Sequence, residues 1–119
     1  MKQLLVVVAA LLGLAIAADG AVLYSQNCAG CHGANGQGIP GVFPPLSGNP
    51  RIQDEAYVVK AIRQGISGPL EVGGQTYNGV MPAMPQISES DARAIAAYTR
   101  GLGGTPAAAP EPTPIQWTP

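Results

Sequence analysis

The chain has 119 residues, Lys+Arg 6 against Asp+Glu 7, and a formal net charge of −1. No basic run exists to neutralise phosphates, so nucleic acid is excluded as a partner. At this size a core is thin, and a folded unit usually needs a staple, a metal or a cofactor.

In chain order, Met1–Lys2 is a short basic start before the apolar run LLVVVAALLGLAIAA, residues 4–18. Ala15 and Ala17 fit the A-x-A cleavage pattern, so residues 1–18 are expected to be a secretory signal. The run is shorter than the roughly 20 residues of a spanning helix. The protein is therefore expected to be periplasmic or otherwise exported, and membrane-anchored only if the segment stays uncleaved. Loss of Lys2 leaves Arg51, Lys60, Arg63, Arg93 and Arg100 as the basic residues, a mildly acidic balance. At the far end, residues 104–119 are rich in Pro, Ala and Thr, a composition expected to form a flexible tail. One folded domain is expected over residues 19–103.

Within that domain, Asp19 can cap a short helix running through Gln26. From Gly30 to Pro50 glycines and prolines dominate, and a long loop is expected. QDEAYVVKAIRQGI predicts a helix with Asp54 and Glu55 in its first turn and Gly65 as its stop. Its apolar side is read as Val59, Ile62 and Ile66. SGPLEVGGQTYNGVMPAMPQ, residues 67–86, reads as a second loop, because Pro82 and Pro85 forbid helix around the methionines. SESDARAIAAYTRGL predicts a last helix, with Ser88 and Asp91 as a capping pair, Ala92, Ile95, Thr99 and Leu102 on one face, and Gly101 as a C-terminal cap. With no convincing strand alternation, the fold class is expected to be all-α, three to four short helices joined by long Gly/Pro loops.

Both cysteines and the single histidine stand together in NCAGCHG, as Cys28, Cys31 and His32. Three chemistries compete for them. A structural zinc site wants four ligands; the chain supplies three, and no Asp or Glu lies between Gly20 and Gln53 to complete it. A C-x-x-C redox disulfide belongs at the end of a strand in a βαβ unit, which is not the context here, and a structural disulfide would leave His32 unexplained. C-x-x-C-H is the haem c attachment pattern. Each thiol adds to one vinyl group, the two intervening residues span the porphyrin edge, and the next side chain is directed at the iron. Haem would also give short helices an apolar body to pack on.

A sixth iron ligand cannot be a second histidine. Methionine is the alternative, since a thioether opposite imidazole favours ferrous iron. Beyond the expected signal, Met81 and Met84 in GVMPAMP are the two candidates.

With DGAVLYSQNCAGCHG, GQGIPGVFPPLSG, YNGVMPAM and a terminal helix carrying Tyr98 in that order, the sequence resembles the class I c-type cytochromes, especially small bacterial members serving a terminal oxidase. The resemblance implies the cytochrome c fold wrapped around one covalently bound haem c. It implies thioethers at Cys28 and Cys31, His32 as proximal ligand and Met81 as the other axial ligand. It also implies a proline-loop carbonyl accepting from the His32 ring, with Pro44 the choice and Pro45 and Pro40 behind it. Gly20 and Tyr24 are similar to the family pair that crosses the last helix near Ile95 and Tyr98. Tyr57, Tyr77, Asn78 and Arg51 are candidates for the haem propionates. The implied function is one-electron carriage without substrate chemistry, and the alternative is a dedicated subunit of a dehydrogenase or oxidase. A catalytic or gas-binding haem would need an open iron position, which Met81 argues against. Implied partners are a terminal oxidase, a quinol-oxidising complex or a periplasmic dehydrogenase, met as a monomer or in transient complexes. Where mitochondrial relatives ring the haem edge with lysines, only Lys60 remains here. An apolar rim of Ile39, Val42, Phe43, Val80 and Ala83 is expected instead, with docking that depends weakly on salt.

Overall fold

The computed structural model describes residues 19–102. The expected signal, residues 1–18, and the expected tail, residues 104–119, lie outside the described residues. Helix α1 covers Gly20–Asn27, and the Asp19 carboxylate caps it by accepting from the Ala21 N–H at 3.0 Å. A single turn, α2, follows at Ala29–His32. The glycine–proline segment after it is ordered by backbone hydrogen bonds and by a bridge between Ile39 and Phe43. A 3₁₀ turn, Pro50–Gln53, leads into α3 at Glu55–Gln64, capped by Asp54. The last helix, α4, is Glu89–Leu102. Ser88 Oγ accepts from the Asp91 N–H at 3.1 Å, and the helix runs on through Gly101, which is no cap.

The all-α expectation is overturned between α3 and α4. Strands β1, Ile66–Val72, and β2, Gln75–Met81, form a two-stranded antiparallel sheet. The turn between them is Gly73–Gly74, a pair suited to a two-residue hairpin. Read as loop, the segment hides its alternation because Gly68, Pro69 and Gly79 interrupt the apolar positions. A proline is tolerated in β1 because both strands of a two-stranded sheet are edges. In β1 Ile66, Gly68, Leu70 and Val72 turn to the protein side while Ser67, Pro69 and Glu71 face out.

The core is small. Tyr24, Ile52, Val58, Ile62, Ile87, Ala92, Ile95 and Ala96 are buried in one cluster. The inward face of α3 is Val58, Ala61 and Ile62. Val59 is only partly buried, and Ile66 has left the helix to begin β1. Helix α1 crosses α4 at Gly20, where an added Cβ would run into the Ala94 carbonyl oxygen. Beside that crossing the rings of Tyr24 and Tyr98 pack at 5.2 Å, tilted by 49°. Among the described residues no helix is long and apolar enough to cross a membrane.

Candidate functional site

One helical turn settles the placement of the C-x-x-C-H residues. The Cys28 carbonyl accepts from the N–H groups of Cys31 at 3.2 Å and His32 at 2.9 Å. Side chains three and four positions apart share a helix face, and Cys28, Cys31 and His32 all line a single cleft. Both thiols are free. Burial pushes the Cys28 thiol up to about 11, with the neighbouring Cys31 adding to the shift.

His32 is 9 % exposed, and its Nδ1 lies 2.9 Å from the Pro44 carbonyl oxygen. A carbonyl only accepts, so Nδ1 carries the proton and the Nε2 lone pair is left for a metal. Burial lowers the imidazole's pKa, opposed by the Pro44 carbonyl, so the neutral form is favoured. The loop is shaped to bring that carbonyl in. The Gly38 N–H donates to the His32 carbonyl at 2.7 Å, and a Cβ at position 38 would lie 2.5 Å from the Phe43 oxygen and 2.8 Å from the Pro45 nitrogen. Of the other two prolines, Pro45 gives its carbonyl to Asn49 at 3.1 Å, and Pro40 sits in the exposed turn of the Ile39–Phe43 bridge.

The hairpin forms another wall. In register, Ile66 faces Met81, Gly68 faces Gly79 and Leu70 faces Tyr77, and all six residues line the cleft. Met81 therefore reaches the cleft that His32 reaches. Met84 does not line it and packs against the core. Val58, Ala61 and Ile62 of α3 and Ile95 of α4 make further lining. Tyr57 and Tyr77 border the space, whereas Arg51 and Asn78 do not; the Arg51 guanidinium donates to the Glu71 carbonyl at 2.5 Å.

Sequence reasoning missed Gly68, Leu70 and Gly79, all in the segment read as loop, and assigned Ile66 to the helix before it; the Gly73–Gly74 turn was the available signal. It also missed buried Asn49, whose Oδ1 accepts from the Arg51 N–H at 3.0 Å; Thr99, expected on the apolar face of the last helix, is buried there, and its hydroxyl donates to the Ala96 carbonyl at 3.0 Å.

The cleft suits haem on its own evidence. Its cavity volume is about 270 Å³, near the lower end of the about 300–1,000 Å³ of ordinary ligand sites. Among the described residues no Asp, Glu, Lys or Arg lines it. The Gly68–Gly79 pair, in which a Cβ on Gly68 would meet nothing within 4 Å, leaves the hairpin wall open to a flat group. Two thiols for the vinyl groups, with an imidazole and a thioether able to ligate iron, match what a haem c takes. Zinc fits worse: among the described residues no three His, Cys, Asp or Glu side chains gather as a metal site.

Comparison with known proteins agrees. The cytochrome c family profile matches residues 17–103. A cytochrome c-552 of Thermus thermophilus is 44 % identical over 101 residues, covering 80 % of this chain and 68 % of that protein. A second Thermus thermophilus cytochrome c-552 is 43 % identical over 66 % of this chain and 63 % of its own length. The cbb3-type oxidase subunit CcoP of Cereibacter sphaeroides is 34 % identical over 76 % of this chain but only 29 % of the subunit. The chain belongs to the cytochrome c family, as a small class I electron-carrier domain for one covalently bound haem c.

Proposed function

We propose that this domain is an exported one-electron shuttle in which Cys28 and Cys31 anchor the haem while His32 Nε2 and the Met81 thioether bind its iron. The observation that carries the reading is the convergence of all four side chains on one uncharged cleft. The bound haem supplies the Fe(II)/Fe(III) couple. The Pro44 carbonyl holds the His32 ring in one tautomer and orientation, as ligating histidines generally need. Met81, on the hairpin, would favour the ferrous state as a ligand, and the apolar walls would keep water from the metal. With His32 and Met81 both supplied by the protein, little would have to rearrange on a change of charge. The anchoring is tested directly: the protein made with a haem-attachment system should stay red through a denaturing gel. Cys28→Ala combined with Cys31→Ala should release all haem there, and haem retained by the double variant would overturn the anchoring roles.

The partner we propose is a terminal oxidase or another exported redox protein that docks at the cleft mouth. Ile39, Val42 and Val80 are 47 %, 56 % and 73 % exposed, and Val42 and Val80 border the cleft. Lys60 and Arg63 lie instead in a separate groove with Glu55, Glu89 and Arg93. A contact through such a rim should give a second-order rate that changes little with ionic strength. A steep fall with added salt would require a charged docking patch elsewhere. Similarity to the cbb3-type oxidase subunits favours a second reading, a cytochrome domain held within an oxidase complex. Co-elution of the native protein with a large complex would favour it over the free shuttle.

A further inference from the structure

We propose that Gly65 is a positioning residue for Met81: the bare backbone at the end of α3 is what lets the methionine segment seat its thioether in the cleft. The inference rests on Met81 as axial ligand, the reading given above. Gly65 closes α3 with its N–H donating to the Ala61 carbonyl at 2.9 Å. Its φ of 76° and ψ of 172° fall in a region that is nearly glycine-only. The next residue, Ile66, pairs across the hairpin with Met81, and the Met84 N–H donates to the Ile62 carbonyl at 2.8 Å. The segment Met81–Met84 is thus tied to the end of α3 on both sides of Gly65.

What lies between the ties is backbone against backbone. A Cβ on residue 65 would stand 2.6 Å from the Met81 oxygen, 2.9 Å from the Ala83 nitrogen and 3.2 Å from the Pro82 carbonyl carbon. None of these atoms belongs to a side chain that can swing aside. Relief requires the Met81 backbone to move away from the helix end, and the thioether moves with it. Gly73 and Gly48 provide controls: both have positive φ, at 59° and 71°, yet an added Cβ would meet nothing within 4 Å, and neither lines the cleft.

The test compares Gly65→Ala, Gly73→Ala, Gly48→Ala and Met81→Ala as holoproteins. Four readouts apply: haem retention on a denaturing gel, the far-red methionine-to-ferric-iron band, carbon monoxide binding to the ferrous form, and imidazole titration of the ferric form. A competing ligand's apparent affinity rises with the fraction of open sites. Gly65→Ala should keep its covalent haem, weaken the far-red band, admit carbon monoxide and bind imidazole about tenfold more tightly than wild type. Gly73→Ala and Gly48→Ala should match wild type in all four. If Met81→Ala loses the band while Gly65→Ala keeps it at full strength, the positioning role is wrong and the ligand stands. If Met81→Ala keeps the band, the ligand assignment has failed first. Equal losses in Gly73→Ala or Gly48→Ala, or a Gly65→Ala chain that never takes up haem while the controls do, would trace the effect to strain or folding and overturn the proposal.

Discussion

His32 is held by neighbours close to it in the chain, whereas Met81 stands at the end of a hairpin fastened to distant elements at a few points. On the histidine side the ring donates to Pro44 at 2.9 Å, the Gly38 N–H to His32 at 2.7 Å, the Tyr24 hydroxyl to Gly33 at 2.6 Å and the Leu46 N–H to Gly36 at 2.8 Å. On the hairpin side the strands bond to each other, and their outside hydrogen bonds include the Arg51 guanidinium to Glu71. The Met84 N–H to Ile62 secures the segment just beyond β2. A wall with few outside ties can shift without dismantling the core, because local opening follows local contact density. The histidine wall should behave as part of the fold, and the methionine wall as a separable attachment to it.

The strongest way to break that comparison is to remove each ligand in turn. His32→Ala deletes a buried ring and leaves the Pro44 carbonyl without its donor, a loss of about 1–3 kcal/mol before any metal bond is counted. Its holoprotein should be recovered poorly and unfold at markedly lower denaturant. Met81→Ala removes a half-buried side chain from the hairpin edge. It should fold, lose the far-red band, bind carbon monoxide and show a lower reduction potential. Met84→Ala should do the reverse: the band survives, and stability falls by less than the about 2–5 kcal/mol of a fully buried methionine. Absorption spectra and denaturant titrations on the three variants decide it. A band that survives in Met81→Ala and vanishes in Met84→Ala would exchange the two methionines' roles.

The same contrast explains what could be read in the sequence. Cys28, Cys31 and His32 were legible because one helical turn fixes their relation whatever surrounds it. The caps at Asp19 and Ser88 were legible for the same local reason, whereas Asp54, expected inside the first turn, caps its helix from one residue before it. The hairpin was not: its inward face is Ile66, Gly68, Leu70, then Tyr77, Gly79, Met81, and two glycines with Pro69 between apolar positions look like loop. Gly68 also has a φ of 90°, which favours glycine by itself, so the signal depends on the backbone path and the cleft as much as on periodicity. The phase of α3 slipped from Val58 to Val59 because either valine completes an apolar side with Ile62, and the choice rests on what the helix packs against. The choice of Met81 rests on the family resemblance and not on periodicity.

The smallest expected effect probes the histidine wall through Tyr24. Its ring is 1 % exposed and its hydroxyl donates to the Gly33 carbonyl, one residue beyond His32. Burial pushes the phenol from its ordinary 10.0 up to about 12, with Cys28 and then Tyr98 adding to the rise. The folded state therefore keeps this proton longer than the unfolded chain does. Stability linked to Tyr24 is present below about pH 10 and is lost as pH rises toward about 12. Tyr24→Phe has no proton to lose. Near neutrality it should be less stable by about 1 kcal/mol, the net worth of one hydrogen bond. Between about pH 10 and 12 that deficit should shrink, because wild type loses stability that the variant never had. Denaturant midpoints of both proteins at neutral pH and across that alkaline window measure the gap directly. A constant gap would mean that the phenol titrates alike in both states, and that the wall beside His32 is looser than its hydrogen bonds imply.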